Sequence, residues 1–396
     1  MHKYMEAPKH PKLKKTNMIT SLKKALNCID PKNSPAIKGR ILSVDALRGF
    51  DMLWITGGAT IFITLNDAVH SPVTETLAAN MEHVPWQGFH FLDIIMPLFL
   101  FVTGVSMPLS FKKRLQKPQG STLAGHILKR VAILWILGMI AQGNLLTYDW
   151  SKIAFFSNTL QAIAVGYLVS SLFILNFTVF AQFLWVLALL LINFLVLYYI
   201  PVPGVGHAVL EPQQNLALYI DKLLLGSHQD GTNYTWILTS IGFTATVMMG
   251  VFASYILQGG TSQLGKLKVL FVTGLALVAA GLLLNPAQLI IKHVWTTSFT
   301  LFSGGLCFLL LALFYLVVDY WKYQRWAMLF IVVGSNSILA YMIGDLHCFS
   351  EIAEVFLLGT KRFLGNWYPF VLSLGSYAVF WLLFYFLYKK KIFIKV

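Results

Sequence analysis

The feature that most constrains this chain is a series of apolar stretches, each about 20 residues long and almost free of charge. Such a stretch spans the ~30 Å hydrocarbon layer of a bilayer as an α-helix. Ten stretches can be marked: 47–66, 90–111, 127–145, 155–176, 180–200, 234–257, 268–286, 297–318, 327–345 and 368–388. The expected fold is all-α, a polytopic integral membrane bundle of about ten transmembrane helices. Composition agrees: 57% of the 396 residues are hydrophobic and 12% charged, half of the roughly 25% typical of a chain with a water-facing surface. The stretch 346–366 carries Glu351, Glu354, Lys361 and Arg362, so it reads as an interfacial or re-entrant piece.

A net charge of +14 would suit a nucleic-acid binder, but the cations cluster at the ends of the apolar runs. If the N-terminus is cytoplasmic, 25 of the 30 Lys and Arg face the cytoplasm, and Lys152, Lys222, Lys292, Lys361 and Arg362 face outward. That asymmetry is the positive-inside pattern. It predicts cytoplasmic N- and C-termini, a lipid bilayer as partner and no nucleic acid. Short basic loops fit a bacterial inner (plasma) membrane. Residues 1–38 form a flexible basic arm that either touches anionic lipid heads or stays disordered; residues 39–396 form the transmembrane domain. The first 45 residues are polar and Lys-rich, so no cleavable signal peptide is expected and the first span acts as its own insertion signal. Cys28, Cys307 and Cys348 have no CxxC spacing and no His partners, which points to small buried residues and no metal site.

Charged groups at membrane depth are costly, which makes each a functional candidate. Asp45, Asp51, Asp93 and Asp345 qualify. Asp45 and Arg48 are three apart and share a helix face, as a structural clamp or as a holder of an anionic cofactor. His83 lies in the first outer loop, ten residues before Asp93. Pro85 and Gly88 interrupt any helix between them, so the loop can fold back and carry His83 over the protein interior. An imidazole there suits proton transfer or nucleophilic attack, although a loop histidine is more often simply solvated. His293 and Trp295 sit in K-H-V-W-T-T-S-F at the outer mouth of the eighth span. Asn158 and Gln161 lie near the outer end of the fourth, and Asn336 and Ser337 inside the ninth. Each of these polar groups fastens a neighbouring helix or lines a substrate cavity.

Taken together, the segments resemble the heparan-α-glucosaminide N-acetyltransferase family and its bacterial relatives. The likeness begins at R-x-x-S-x-D-x-x-R-G (Arg40, Ser43, Asp45, Arg48, Gly49) and continues at H-x-x-W-x-G-x-x-x-x-D-x-x-x-P (His83, Trp86, Gly88, Asp93, Pro97). It returns at Leu160–Gln161, in the sixth span, at Trp295–Ser298 and at Asn336–Tyr341. The resemblance implies a membrane acyltransferase that takes acetyl-CoA from the cytoplasm and delivers the acetyl group to an amino sugar or glycan on the far side. It implies His83 as acetyl acceptor or general base. Asp93 then orients the imidazole or remains a structural partner. Arg48, Lys112, Lys113 and Arg130, with Asp45, fall where CoA phosphates would be held. Trp86, Asn158, Gln161, His293, Trp295 and Asn336 are the candidate substrate residues, and the family implies a homodimer. One departure stands out: better-known members carry an Asn late in the first span, where this chain has Ala59 or the preceding glycines, with Asn66 further on. Two rival readings remain, a sugar or glycan-fragment transporter coupled through Asp51, Asp93 and Asp345, and a non-catalytic membrane scaffold.

Overall fold

The computed structural model describes residues 41–115, 123–344 and 347–394. The expected arm 1–38, Arg40, Cys28, Lys117 and Asp345 lie outside the described residues, as does the side chain of Cys348.

The molecule is an all-α polytopic membrane protein. Among the described residues, nine helical segments are long and apolar enough to cross a bilayer. The first, Leu42–Val69, consists of α1 (Leu42–Leu53), a π-turn at Trp54–Gly58 and α2 (Ala59–Val69). Gly57 takes φ 100° inside that turn, a conformation costly for any residue with a Cβ. After α3 (Pro72–Asn80), a loop and a 3-10 turn (Phe91–Ile94) lead into α4 (Ile95–Leu115). There follow α5 (Leu123–Ala141), α6 (Thr159–Asn176) and α7 (Val179–Tyr199). The long loop after α7 contains a two-residue hairpin, β1 (Leu210–Glu211) with β2 (Gln214–Asn215), and α8 (Leu216–Leu225). Then come α9 (Ser240–Gln258), α10 (Gln263–Leu284) and α11 (Thr297–Phe314), the last extended by a π-turn at Tyr315–Tyr320.

The ninth stretch, 327–345, is not a continuous helix. It is split into two seven-residue helices, α12 (Met328–Gly334) and α13 (Ser337–Ile343). The break falls at Asn336, whose side chain serves the C-terminal tail. Its Nδ2 donates to the Ile392 carbonyl (3.0 Å), and its Oδ1 accepts from the Ile394 N–H (2.7 Å). An Asn that bonds backbone elsewhere disfavours an unbroken helix. The charged stretch after it forms α14 (His347–Leu357) and α15 (Lys361–Leu364). α14 packs along α16 (Tyr368–Lys389), with the Phe349 and Phe380 rings 5.4 Å apart.

α4 and α9 are the most enclosed helices and form the centre of the bundle. They pack at backbone distance. A methyl group on Gly104 would overlap the Val247 carbonyl, and one on Gly250 would overlap the Phe101 carbonyl. Small residues at a helix crossing are how membrane helices gain van der Waals contact in the absence of a hydrophobic driving force.

Two contacts bring the start of α1 to one end of the bundle. The Ser43 N–H donates to Asp319 at the end of the Tyr315–Tyr320 turn (3.2 Å), and Arg48 donates to Ser106 on α4. The opposite end is closed by loops tied to one another. The Gly88 N–H donates to the Ile290 carbonyl (3.0 Å), and the Phe155 N–H to the His228 carbonyl (3.1 Å). These ties draw four separate loops over one region.

Candidate active site

The loop after α3 arranges its polar groups around one carboxylate. Asp93 is fully buried. Its Oδ2 accepts the backbone N–H groups of His90 (3.0 Å) and Val84 (3.4 Å), so the loop curls back on itself. The curl carries His83 to the same group, with Nδ1 2.8 Å from Asp93 Oδ1. A third partner comes from 209 residues away in sequence: Lys292 Nζ lies 3.1 Å from His83 Nδ1 and 3.1 Å from Asp93 Oδ1. In the Nδ1–H tautomer the ring donates to Asp93 Oδ1 and presents the Nε2 lone pair.

Lys292 is buried in the loop between α10 and α11. Burial pulls its ammonium below the usual lysine range, and the Asp93 charge opposes that shift. A buried cation without a partner is strongly destabilising, so the carboxylate that orients His83 also neutralises Lys292. The neighbouring His293 is pushed down to about 4, first by burial and then by the Lys292 charge. It is therefore neutral at pH 7, and its ring stacks on Trp86 (5.0 Å) and on Tyr234 (4.2 Å).

His83 and Lys292 both line a cavity of about 840 Å³. Trp54 and Ile55, at the π-turn of the first span, contribute an apolar part of its wall, together with Met96 and Met342. Asn158, Thr159 and Gln142 contribute a polar part. The stretch before α9 closes it with Asp230, Thr232, Tyr234 and Trp236. Burial pushes the Tyr234 phenol up to about 12, with the Asp93 charge adding to the shift, so it stays a hydrogen-bond donor at neutral pH.

Asp221 on α8 holds that closing stretch by accepting the N–H groups of Trp236 (2.7 Å) and Ile237 (3.0 Å). Burial raises Asp221 to about 6 against these hydrogen bonds. A carboxyl group raised on folding favours the protonated folded state. Its contribution is complete below the unfolded value near 4 and is lost as pH rises through about 6. Wild-type thermal stability should therefore fall between pH 4 and 6.5 by an amount the Asp221→Asn variant does not show, up to ~3 kcal/mol for a two-unit shift. Parallel unfolding curves for the two proteins across that window would rule this out.

No protein-family model matches the chain. Two curated proteins are similar to it along most of its length. The heparan-α-glucosaminide N-acetyltransferase of Mus musculus is 25% identical over 387 aligned positions, covering 80% of this chain. That of Homo sapiens is 24% identical over 419 positions, covering 91%. The chain is a distant relative of the heparan-α-glucosaminide N-acetyltransferases. It spans 56% of the mouse protein and 60% of the human one.

The residues singled out by the N-acetyltransferase likeness fall into separate places. His83 and Asp93 meet, and Asn158 faces the same cavity while capping α6 through the Leu160 N–H (2.9 Å). Trp86 stands behind His293 and donates to the Leu210 carbonyl (2.8 Å). Gln161 holds the turn before α6, accepting from the Ser157 N–H (2.8 Å) and donating to the Phe155 carbonyl (2.6 Å). Trp295 is enclosed in the core, its Nε1 3.3 Å from Thr246 Oγ1, and Asn336 makes the break described above. Asp45 pairs with Arg48 at 3.5 Å. Lys112 lies in the last turn of α4, and the Arg130 guanidinium sits 4.5 Å over the Tyr167 ring. None of these last four lines the His83 cavity. Asn66, the nearest Asn to the family position, accepts from Thr74 Oγ1 (2.8 Å) and fastens α3 to α2. Asp51 is fully buried, and its carboxylate accepts no hydrogen bond among the described residues. Among the described residues, no three His, Cys, Asp or Glu side chains come together as a metal-ligand set.

Lys292 was not among the residues selected by motif. One signal could have found it. It is a cation on the side of the membrane that the charge pattern otherwise leaves nearly free of cations, and such an exception calls for a local partner.

Proposed function

We propose that the protein is a membrane acyltransferase that moves an acetyl group from acetyl-CoA to the amine of an amino sugar or glycan. The observation that carries this reading is the His83–Asp93–Lys292 cluster on the wall of a cavity that also reaches Trp54 and Ile55 of the first span. An amine attacks a thioester only through its free lone pair. His83 Nε2 takes the amine proton as the nitrogen bonds to the carbonyl carbon, the C–S bond breaks, and the imidazolium returns the proton to the leaving thiolate. In the alternative order, Nε2 attacks the thioester first, releasing CoA, and the amine then displaces the imidazole. In both, Asp93 stabilises the positive ring through Nδ1, and Lys292 balances Asp93 while the ring is neutral.

In this proposal the acetyl donor enters from the cytoplasmic side, where Arg48, Lys112 and Arg130 would meet CoA phosphates. The acceptor arrives from the opposite side, at the cavity wall formed by Asn158 and Tyr234. The cytoplasmic termini, a bacterial plasma membrane and a homodimeric assembly belong to the same reading.

The deciding assay uses purified protein in detergent or nanodiscs with acetyl-CoA and glucosamine. Release of CoA thiol together with N-acetylglucosamine is expected. Sugar uptake into proteoliposomes without an acyl donor and without acetylated product would replace the enzyme by a transporter.

A further inference from the structure

A second cavity, about 480 Å³, lies apart from His83 between α7, α9, α10 and α11. Its wall is almost wholly apolar, built from residues such as Phe183, Leu187, Ile256, Val269 and Leu277. Along α10, Val269, Thr273 and Leu277 line it at four-residue intervals, which is one stripe of a helix. The same stripe begins one turn earlier at Lys266. The Lys266 Nζ donates to the Leu257 carbonyl (2.6 Å), next to Ile256 of the wall. Its ammonium is thereby held at the mouth of the groove with further N–H bonds to offer. Lys268, two residues on, is exposed on the opposite face of α10 and takes no part in the stripe.

Among the described residues, Lys266 has no carboxylate partner. No Asp or Glu occurs between Asp230 and Asp319 in the sequence. The dimensions are also informative. From Val269 to Leu277 the helix rises ~12 Å, close to the ~15 Å depth of one leaflet. A greasy slot of leaflet depth, opening beside an ammonium group that has no carboxylate partner among the described residues, has the shape and charge to take a lipid standing upright.

We propose that this groove takes one acyl chain of an anionic phospholipid, whose phosphate is met by Lys266. The tail fills space that would otherwise leave the wall without van der Waals partners. The headgroup charge selects the lipid class, because juxtamembrane cations attract anionic headgroups.

The test is native mass spectrometry of the full chain released from nanodiscs containing equal amounts of phosphatidylglycerol and phosphatidylcholine. Wild type should retain one phosphatidylglycerol in preference. The Lys266→Gln variant should weaken that retention roughly fivefold, at ~1 kcal/mol per cation, and leave phosphatidylcholine unchanged. Val269→Trp should fill the slot and abolish retention of either lipid, and Leu187→Trp should do so from the opposite wall. Both positions are exposed in the protein, so a larger ring need not displace the core, and thermal unfolding confirms that the variants fold. Equal retention of the two lipids by wild type would overturn the proposal, as would wild-type retention by both tryptophan variants. Loss of a dimer with unaltered lipid in those variants would also overturn it and give the groove to a second copy of the chain. None of these readouts depends on acetyl transfer.

Discussion

Replacement of His83 by alanine should lower acetyl transfer by roughly 10²–10⁴-fold, the usual worth of a positioned acid–base group, while leaving the protein folded. The second half of that statement follows from the site. The His83 side chain is 44% exposed, so its removal opens no core void. Asp93 keeps Lys292 and two backbone N–H donors when the imidazole is gone. CoA release measured beside the thermal midpoint separates the two effects. Undiminished turnover in a folded His83→Ala protein would remove the imidazole from the reaction. The corresponding loss with an unchanged midpoint supports a chemical role.

Replacement of Lys292 by methionine should be costly in a different way. It strips the cation from a buried carboxylate and leaves Asp93 Oδ1 with His83 alone. Breaking a buried pair by removing one member costs roughly 3–5 kcal/mol, because the other charge stays behind without compensation. The Lys292→Met variant should therefore unfold at clearly lower temperature as well as lose activity. The Asp93→Asn/Lys292→Met double variant should recover much of the stability, since neither charge is then stranded. It should not recover activity, because an amide in place of Asp93 no longer stabilises the positive ring. A double variant destabilised by the sum of the two single effects would show that the two side chains are not coupled.

The contrast between these experiments reflects how the cluster is assembled. His83 and Asp93 lie within one loop, ten residues apart, and the bend between them was readable from Pro85 and Gly88. Lys292 reaches them from a loop on the far side of six membrane-crossing helices. Nothing in the residues around His83 names that partner. The structure also separates residues that their type had made equivalent. Asn158 and Gln161 are three apart at the start of α6, yet only Asn158 lines the cavity, while Gln161 ties down the preceding turn. Trp295 and Lys292 are also three apart, and one is enclosed in the core while the other lines the His83 cavity. Such differences depend on which way each segment is rotated about its own axis.

By itself, the sequence determined that the chain lies in a bilayer, that it is helical, and roughly where most of its helices run. Those properties follow from the transfer of apolar side chains and from backbone hydrogen bonding within each segment, so they are local sums over neighbouring residues. It also placed a histidine and a carboxylate in one loop. Tertiary structure decided that Lys292 completes the pair, that Asn336 splits a helix to serve the tail, and that the cavity carrying His83 extends to the π-turn of the first span. Those outcomes depend on helix rotation and on contacts between segments far apart in the chain. The energy of such contacts is set by packing distance, which a one-dimensional order of residues does not contain.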